Sequence, residues 1–273
     1  MVTCNIFVKN ILIMAKAKKY KTALVLSGGG ARGLAHLGVI KALNEKDIFP
    51  DVIAGASAGA LVATLYADGY TPDEIMAFFK EKELLKYVEI IIPKTSLVKM
   101  TGIIKMLNKY LRAKTFEELK IPVFIAASNI SKGQIEYFSQ GELLKPLVAS
   151  ASIPVLFNPV KINDDYYVDG GLLDNFPIKA IEKDAEKIIG VDVCPISYQD
   201  KFTSIKSVAI RSFYLAINRD VVVESQLCDL FIASDKLSQY GILDVKKNEE
   251  IFKLGYTEAK KALKTYNTSL LTD

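Results

Sequence analysis

The sequence is poor in the residues that support imidazole, disulfide and metal chemistry. It contains one histidine, His36, three cysteines and no tryptophan among 273 residues. Cys4, Cys194 and Cys228 are widely spaced, odd in number and lack C-x-x-C spacing, which argues against a disulfide framework and a structural zinc site. We therefore expect a reducing, cytoplasmic setting.

A long apolar run is also missing near the start of the chain. Residues 11–15 are apolar, but Lys9 and Asn10 separate them from the apolar residues before, and the run falls far short of the roughly 20 residues that span a membrane. A signal peptide is disfavoured, because the lysines follow the apolar part. Two interpretations stay open: translation starts at Met14, or it starts at Met1 and the segment contacts a membrane.

The charge is distributed unevenly. The 35 Lys and Arg residues exceed the 31 Asp and Glu residues by four. Residues 1–21 hold five lysines and no acid, so residues 22–273 hold 30 basic and 31 acidic residues. Nucleic-acid binding is disfavoured, because it requires a basic stripe on the folded domain. We predict that residues 1–21 form a basic arm outside the fold, able to reach anionic lipid, and that residues 22–273 form one domain.

Short apolar runs alternate with helical segments along the chain. This alternation, with strands apolar on both faces, predicts an α/β fold with a mostly parallel sheet covered on both faces. Thr71 is a predicted helix cap, with Pro72 as the first helical residue. Buried strands are predicted at residues 23–26, 52–54, 122–127, 187–193 and 230–233, and helices at residues 31–46, 58–67 and from 71 onward.

Residues 81–113 do not follow this alternation. They are apolar with interspersed lysines. We interpret the segment as part of the core. A lid or a lipid-facing surface, on which the lysine side chains reach back to water, is the alternative.

A candidate nucleophile follows the second predicted strand. Gly55-Ala56-Ser57-Ala58-Gly59 matches the G-x-S-x-G pattern between a strand and a helix. A serine on such a sharp turn needs small neighbours, because the backbone passes close to itself. The N-terminus of the following helix favours negative charge developing at the serine. A small-residue turn without chemistry is the alternative.

A glycine-rich turn follows the first predicted strand. Residues 27–33, Ser-Gly-Gly-Gly-Ala-Arg-Gly, present backbone N–H groups that can bind an anion. One interpretation is an oxyanion hole built from the N–H groups of Gly29, Gly30 and their neighbours. The other is a dinucleotide fingerprint, because Gly28, Gly30 and Gly33 satisfy G-x-G-x-x-G.

The dinucleotide interpretation lacks its ribose ligand. It requires an acid at the end of the second strand, whereas Asp47 and Asp51 precede that strand and Ser57 follows it. The oxyanion hole is therefore favoured.

A serine nucleophile needs a base. In the α/β-hydrolase order the histidine comes last, but no histidine follows His36, which shares a predicted helix face with apolar residues and is interpreted as packed. The best candidate base is Asp169, at the end of a short aromatic strand before Gly170 and Gly171, because burial would raise its pKa and Ser57 would orient it. A solvated Asp-Gly hairpin turn is the alternative.

Together, these segments resemble bacterial patatin-like phospholipases. The order and spacing of the motifs agree over roughly residues 22–195, and residues 196–273 add only a diffuse likeness. The resembling blocks are the oxyanion block at 28–33, the nucleophile elbow at 55–59, Ala-Ser-Ala-Ser-Ile-Pro at 149–154, Asp-Gly-Gly at 169–171 and Asn-Phe-Pro at 175–177.

The resemblance implies a three-layer α/β/α fold and a Ser-Asp dyad that needs no histidine, and we expect no metal and no organic cofactor. In that case Ser57 attacks a lipid ester carbonyl and Asp169 takes its proton. Backbone N–H groups of residues 28–33 bind the oxyanion, with help from the N–H of Ala58 or from Arg32. For Arg32, an ordinary surface or helix salt bridge is the alternative.

The expected partner is therefore a lipid ester, with peripheral membrane contact and no nucleic acid. Three alternatives stay open: a thioesterase or acyltransferase with the same dyad, a catalytically silent lipid-binding regulatory protein, and a nucleotide-binding protein. The sequence does not indicate an oligomeric state.

Overall fold

A computed structural model of the chain describes residues 18–80 and 101–271, except residues 155, 197, 199, 203, 243 and 267–270. The described strands are β1 (Tyr20–Leu26), β2 (Val52–Ala56), β3 (Val123–Asn129), β4 (Gln134–Phe138), β5 (Val160–Ile162), β6 (Asp165–Asp169), β7 (Ala185–Asp192) and β8 (Leu230–Ala233). The described α-helices are α1 (Leu34–Asn44), α2 (Ala58–Ala67), α3 (Pro72–Lys80), α4 (Thr101–Tyr110), α5 (Leu144–Ser150), α6 (Ile205–Ile217), α7 (Val221–Glu224) and α8 (Asn248–Thr265).

The strands form one mixed sheet that is mostly parallel. Five strands run parallel in the order β3-β2-β1-β7-β8. Strands β4 and β6 pair antiparallel with β3, and β5 pairs antiparallel with β6. Residues 23–26 of β1 pair with residues 52–55 on one side and 188–191 on the other. The predicted apolar strands are confirmed to within a few residues.

The two faces of this sheet are covered unequally. Leu24 and Ile53 face a core that is closed by α1, α2, α3, α4, α5 and α8. Val25, on the opposite face because side chains alternate along a strand, packs in a smaller core with residues 176–181 and Val221 of α7. The α/β/α arrangement is confirmed, with one deep layer of helices and one thin layer of short segments.

The first strand begins earlier than expected. Tyr20 is buried and pairs with Ala185, and the N–H of Lys19 donates to the carbonyl of Asp184 at 2.8 Å. Residues 20 and 21 therefore belong to β1, although the predicted arm includes them. Residues 1–17 lie outside the described residues, and the division of the chain into an arm and one domain stays a prediction.

The segment at 81–113 is described from residue 101 onward, and residues 81–100 lie outside the description. Helix α4 contributes Met106 and Leu107 to the main core, and Leu111 follows them there. The core interpretation is confirmed for these residues. In the described part of the chain, no helix has the length and apolar character needed to cross a membrane.

The start of α3 has the predicted cap. The N–H of Glu74 donates to Thr71 Oγ1 at 3.3 Å, and the N–H of Thr71 donates to Glu74 Oε2 at 2.8 Å. This reciprocal pair is a capping box, which satisfies N–H groups that the first helical turn leaves without acceptors.

We expect Thr71→Ala to lower the free energy of unfolding by about 1 kcal/mol, because the N–H of Glu74 loses its acceptor. Thr71→Ser keeps the hydroxyl and serves as the control. Urea unfolding followed by circular dichroism measures both, and equal stability of wild type and Thr71→Ala would contradict the role of the cap.

Candidate active site

The candidate site lies where two strands end against the same edge of β3. Because β4 occupies one edge, β2 and β6 share the other. On that shared edge Ala56 pairs with Ala126, and Asp169 pairs with the next residue, Ala127. The carboxyl ends of β2 and β6 therefore meet head to head, with Ser57 directly after Ala56.

Ser57 occupies the predicted sharp turn between β2 and α2. Its φ is 52°, a conformation that residues other than glycine rarely adopt. A Cβ atom on Gly59 would lie 2.3 Å from the carbonyl oxygen of Leu26, so the close approach of α2 to β1 requires glycine there. The other predicted supporting glycines also have a non-hydrogen atom within 2.7 Å of where a Cβ would stand: Gly55, Gly170 and Gly171.

The predicted meeting of Ser57 and Asp169 is present in the structure. Ser57 Oγ donates to Asp169 Oδ2 at 2.6 Å. The other carboxylate oxygen, Oδ1, accepts from the N–H of Gly171 at 2.8 Å. The backbone N–H of Asp169 donates to the carbonyl of Ser152, and its carbonyl accepts from Ser128 Oγ, both at 2.9 Å. These bonds fix the orientation of the carboxylate.

Burial makes Asp169 a stronger base than an ordinary aspartate. The side chain is almost fully buried, and the loss of hydration raises its pKa to about 7, against the opposing effects of the hydrogen bonds from Ser57 and Gly171. The cause is that a carboxylate loses more solvation than a carboxylic acid when water is removed. A carboxyl group with a pKa near neutrality can accept a proton and return it at neutral pH.

His36 is packed in the core, as predicted. Its Nε2 donates to the carbonyl of Ser27 at 2.9 Å, and its Nδ1 has no partner among the described residues. Burial lowers its pKa to about 4, so the ring is neutral at neutral pH. In the described residues, no cluster of three or more His, Cys, Asp and Glu side chains could hold a metal ion.

The glycine turn offers fewer free donors than the sequence predicts. The N–H of Gly28 donates to the carbonyl of Asn175 at 3.1 Å, so Gly28 is corrected from a donor to a packing residue. A Cβ on Gly33 would lie 2.5 Å from Ala58 Cβ, so the close approach to α2 requires glycine there, and its predicted place in the oxyanion hole stays a prediction. Within the described chain, the N–H groups of Gly29 and Gly30 donate to no backbone acceptor.

Arg32 is held inside the protein by a backbone carbonyl rather than by a surface salt bridge. It is buried, and its Nε donates to the carbonyl of Tyr240 at 2.6 Å. Its guanidinium lies 5.7 Å from the centre of the Tyr214 ring. The N–H of Ala31 donates to the carbonyl of Ile242 at 2.8 Å. Arg32 therefore anchors the glycine turn to residues 240–242, and its predicted place in the oxyanion hole stays a prediction.

Two residues of the site were not singled out from the sequence. Ser150 Oγ accepts the backbone N–H of Ser57 at 2.9 Å. Asn175 accepts from Gly28 through its carbonyl, and its side chain donates to Asn218 Oδ1 at 3.3 Å. Both lie in blocks that resemble the family, and this position was the available signal.

The comparisons with known proteins agree with this geometry. The family model described as patatin-like phospholipase matches residues 24–181. A lysophospholipase NTE1 of Kluyveromyces lactis is 30% identical over 275 residues, which cover 85% of this chain and 18% of that protein. A lysophospholipase NTE1 of Meyerozyma guilliermondii is 25% identical over 280 residues, which cover 90% of this chain and 19% of that protein. The chain thus spans less than a fifth of the length of these relatives.

The fold is also found among solved structures. VipD from Legionella pneumophila superimposes with a TM-score of 0.51 at 18% sequence identity, covering 90% of this chain and 67% of that one. At this identity the likeness concerns the fold alone.

We expect Ser150→Ala to lower kcat for a p-nitrophenyl ester by roughly tenfold to a hundredfold, because the N–H of Ser57 is left buried without an acceptor at a cost of about 1–3 kcal/mol. KM should change little. The matched control is Ser152→Ala, since Ser152 Oγ donates to the nearby carbonyl of Val148, at 2.8 Å. An equal loss in both variants would contradict the positioning role of Ser150.

We expect kcat/KM to rise with pH through about 7 and then level off, because Asp169 must be ionised to accept a proton and burial places its pKa at about 7. A pH series with the same ester measures this midpoint. His36→Gln should retain most activity and the same profile, since His36 is already neutral above its pKa of about 4. A midpoint near pH 4, or loss of the pH dependence in His36→Gln, would show that Asp169 is not the base.

Proposed function

This chain belongs to the patatin-like phospholipase family, and on that basis we propose that it hydrolyses acyl ester bonds of lipids through Ser57 and Asp169. The observation that carries the proposal is the 2.6 Å hydrogen bond from Ser57 Oγ to Asp169 Oδ2. A buried carboxylate aligned on a serine hydroxyl can activate it without an imidazole. The chemistry is acyl transfer to Ser57, followed by hydrolysis.

We propose a lysophospholipid or phospholipid as the substrate. The relatives of this chain are named lysophospholipases, but the chain covers less than a fifth of their length, so their substrate supports the proposal without establishing it. A thioesterase or acyltransferase would use the same dyad, and assays with acyl-CoA and with alcohol acceptors separate these activities from lipid hydrolysis.

In the first step, Ser57 Oγ attacks the ester carbonyl carbon while Asp169 Oδ2 accepts the hydroxyl proton. The carbonyl oxygen becomes an oxyanion, and the N–H groups of Gly29, Gly30 and Ala58 are the donors proposed for it. The N–H of Ala58 has no acceptor within α2, because it begins the helix. The helix N-terminus adds a favourable field for this negative charge.

The intermediate then breaks the bond to the alcohol. Asp169 returns its proton to the leaving oxygen, so the alcohol part of the lipid departs with a hydroxyl group at that position. The acyl group stays on Ser57. In the second step, water gives a proton to Asp169 and attacks the acyl carbon. Ser57 leaves with the proton from Asp169, and the fatty acid is released.

The substrate also suggests a place of action. We propose peripheral contact with a lipid surface, because a diacyl lipid presents its ester bonds at the interface of a bilayer. We further propose a cytoplasmic location. Cys194 and Cys228 are free thiols, which suits a reducing compartment.

We expect Ser57→Ala and Asp169→Asn each to lower kcat for lysophosphatidylcholine hydrolysis by at least about a thousandfold, because nucleophile and base act as one unit. Released fatty acid measures the activity, and a fluorophosphonate probe should label the wild type at Ser57 but not Ser57→Ala. Thermal unfolding checks that both variants fold. Substantial turnover by either folded variant would contradict the dyad.

A further inference from the structure

The exposed apolar side chains are concentrated in one part of the chain. In the described residues, 13 large apolar side chains are exposed, and nine of them lie between residues 196 and 227. Large exposed apolar patches on a folded protein mark binding surfaces. The nine are Ile196, Tyr198, Phe202, Ile205, Val208, Leu215, Val222, Val223 and Leu227.

Helix α6 carries a regular part of this surface. Ile205 is 91% exposed, and Val208 and Leu215 are about half exposed. Val208 and Leu215 follow Ile205 by three and ten residues, which places all three on one side of a helix with 3.6 residues per turn. We call these three residues the apolar face of α6. A helix of a globular protein ordinarily turns such a face towards the core, whereas here it faces outward.

The other side of α6 borders the candidate active site. The helix packs against the turn Gly170–Leu172, which follows Asp169. Tyr214 lies against the Arg32 guanidinium, and Asn218, just after the helix, accepts a hydrogen bond from Asn175. Leu173, next in the chain after that turn, is also about half exposed. The apolar face and the dyad are therefore on opposite sides of one helix.

We propose that the apolar face of α6 docks this protein on the surface of a phospholipid bilayer, an inference that rests on the proposed lipid hydrolysis. Apolar side chains on an interfacial helix insert at the boundary between head groups and acyl chains. The ester bonds of a membrane lipid lie at that boundary. Docking through α6 therefore keeps the site next to the bilayer that holds the bonds to be cleaved.

The charges around α6 suit a bilayer that contains anionic lipid. Residues 196–227 include four Lys or Arg residues and three acids. One of these acids, Glu224, is buried and paired with Lys179 at 2.8 Å. The remaining charges are positive in sum, and basic side chains beside inserted apolar ones strengthen binding to anionic head groups.

The test is the double variant Ile205→Ser/Val208→Ser, measured by co-sedimentation with vesicles of phosphatidylcholine and phosphatidylglycerol in equimolar amounts. We expect at least about a tenfold loss of vesicle affinity, since the two side chains no longer insert. Phe49→Ser is the matched control. Phe49 is also exposed, but it lies near the amino end of β2, whereas Ser57 follows the carboxyl end of that strand. This variant should therefore bind vesicles normally.

Two further readings separate the inference from the proposed function. The double variant should hydrolyse a short-chain, water-soluble ester like the wild type and lose at least about tenfold in activity on phospholipid in the same vesicles. If the wild type binds vesicles through α6 but cleaves no ester, the proposed hydrolysis fails and the docking surface stands. Unchanged vesicle affinity in the double variant would overturn the docking surface. So would a wild-type dimer that becomes monomeric in the double variant by sedimentation velocity.

Discussion

The head-to-head meeting of β2 and β6 on one edge of β3 is the constraint on which the site depends. Ser57 follows the strand that ends opposite Ala126, and Asp169, the last residue of β6, pairs with Ala127. Backbone hydrogen bonds of the sheet therefore set the distance between the two side chains. A one-residue slip of either strand would turn its side chains to the opposite face and separate the pair.

Burial of Asp169 is the second constraint. Most serine hydrolases use a histidine as the base, and here the raised pKa of a buried carboxylate can take that part. Asp169 is buried, which raises its pKa to about 7, while the hydrogen bonds from Ser57 and Gly171 oppose that rise. Burial disfavours the ionised carboxylate and the hydrogen bonds favour it, so the group can exchange a proton near neutral pH. The chain's single imidazole, His36, is held neutral by the same loss of hydration and supports the carbonyl of Ser27.

Residues beyond the matched family region complete the site. The family model ends at residue 181, yet Tyr240 and Ile242 accept hydrogen bonds from Arg32 and Ala31 of the glycine turn. These bonds engage Arg32 Nε and the N–H of Ala31, whereas the N–H groups of Gly29 and Gly30 donate to no backbone acceptor in the described part of the chain. The glycine turn therefore takes its shape from both halves of the chain.

The sequence by itself determined the features that depend on neighbours along the chain. Apolar runs defined the strands, Thr71 and Glu74 defined a helix cap, and the small residues around Ser57 defined its turn, because propensity, capping and backbone crowding act over a few residues. Only the tertiary structure decided three hydrogen bonds of the site: from the N–H of Gly28 to Asn175, from Arg32 to Tyr240, and from the N–H of Ser57 to Ser150. It also decided which face of α6 is exposed. Each of these depends on strand register and helix packing between distant segments, which local pattern does not encode.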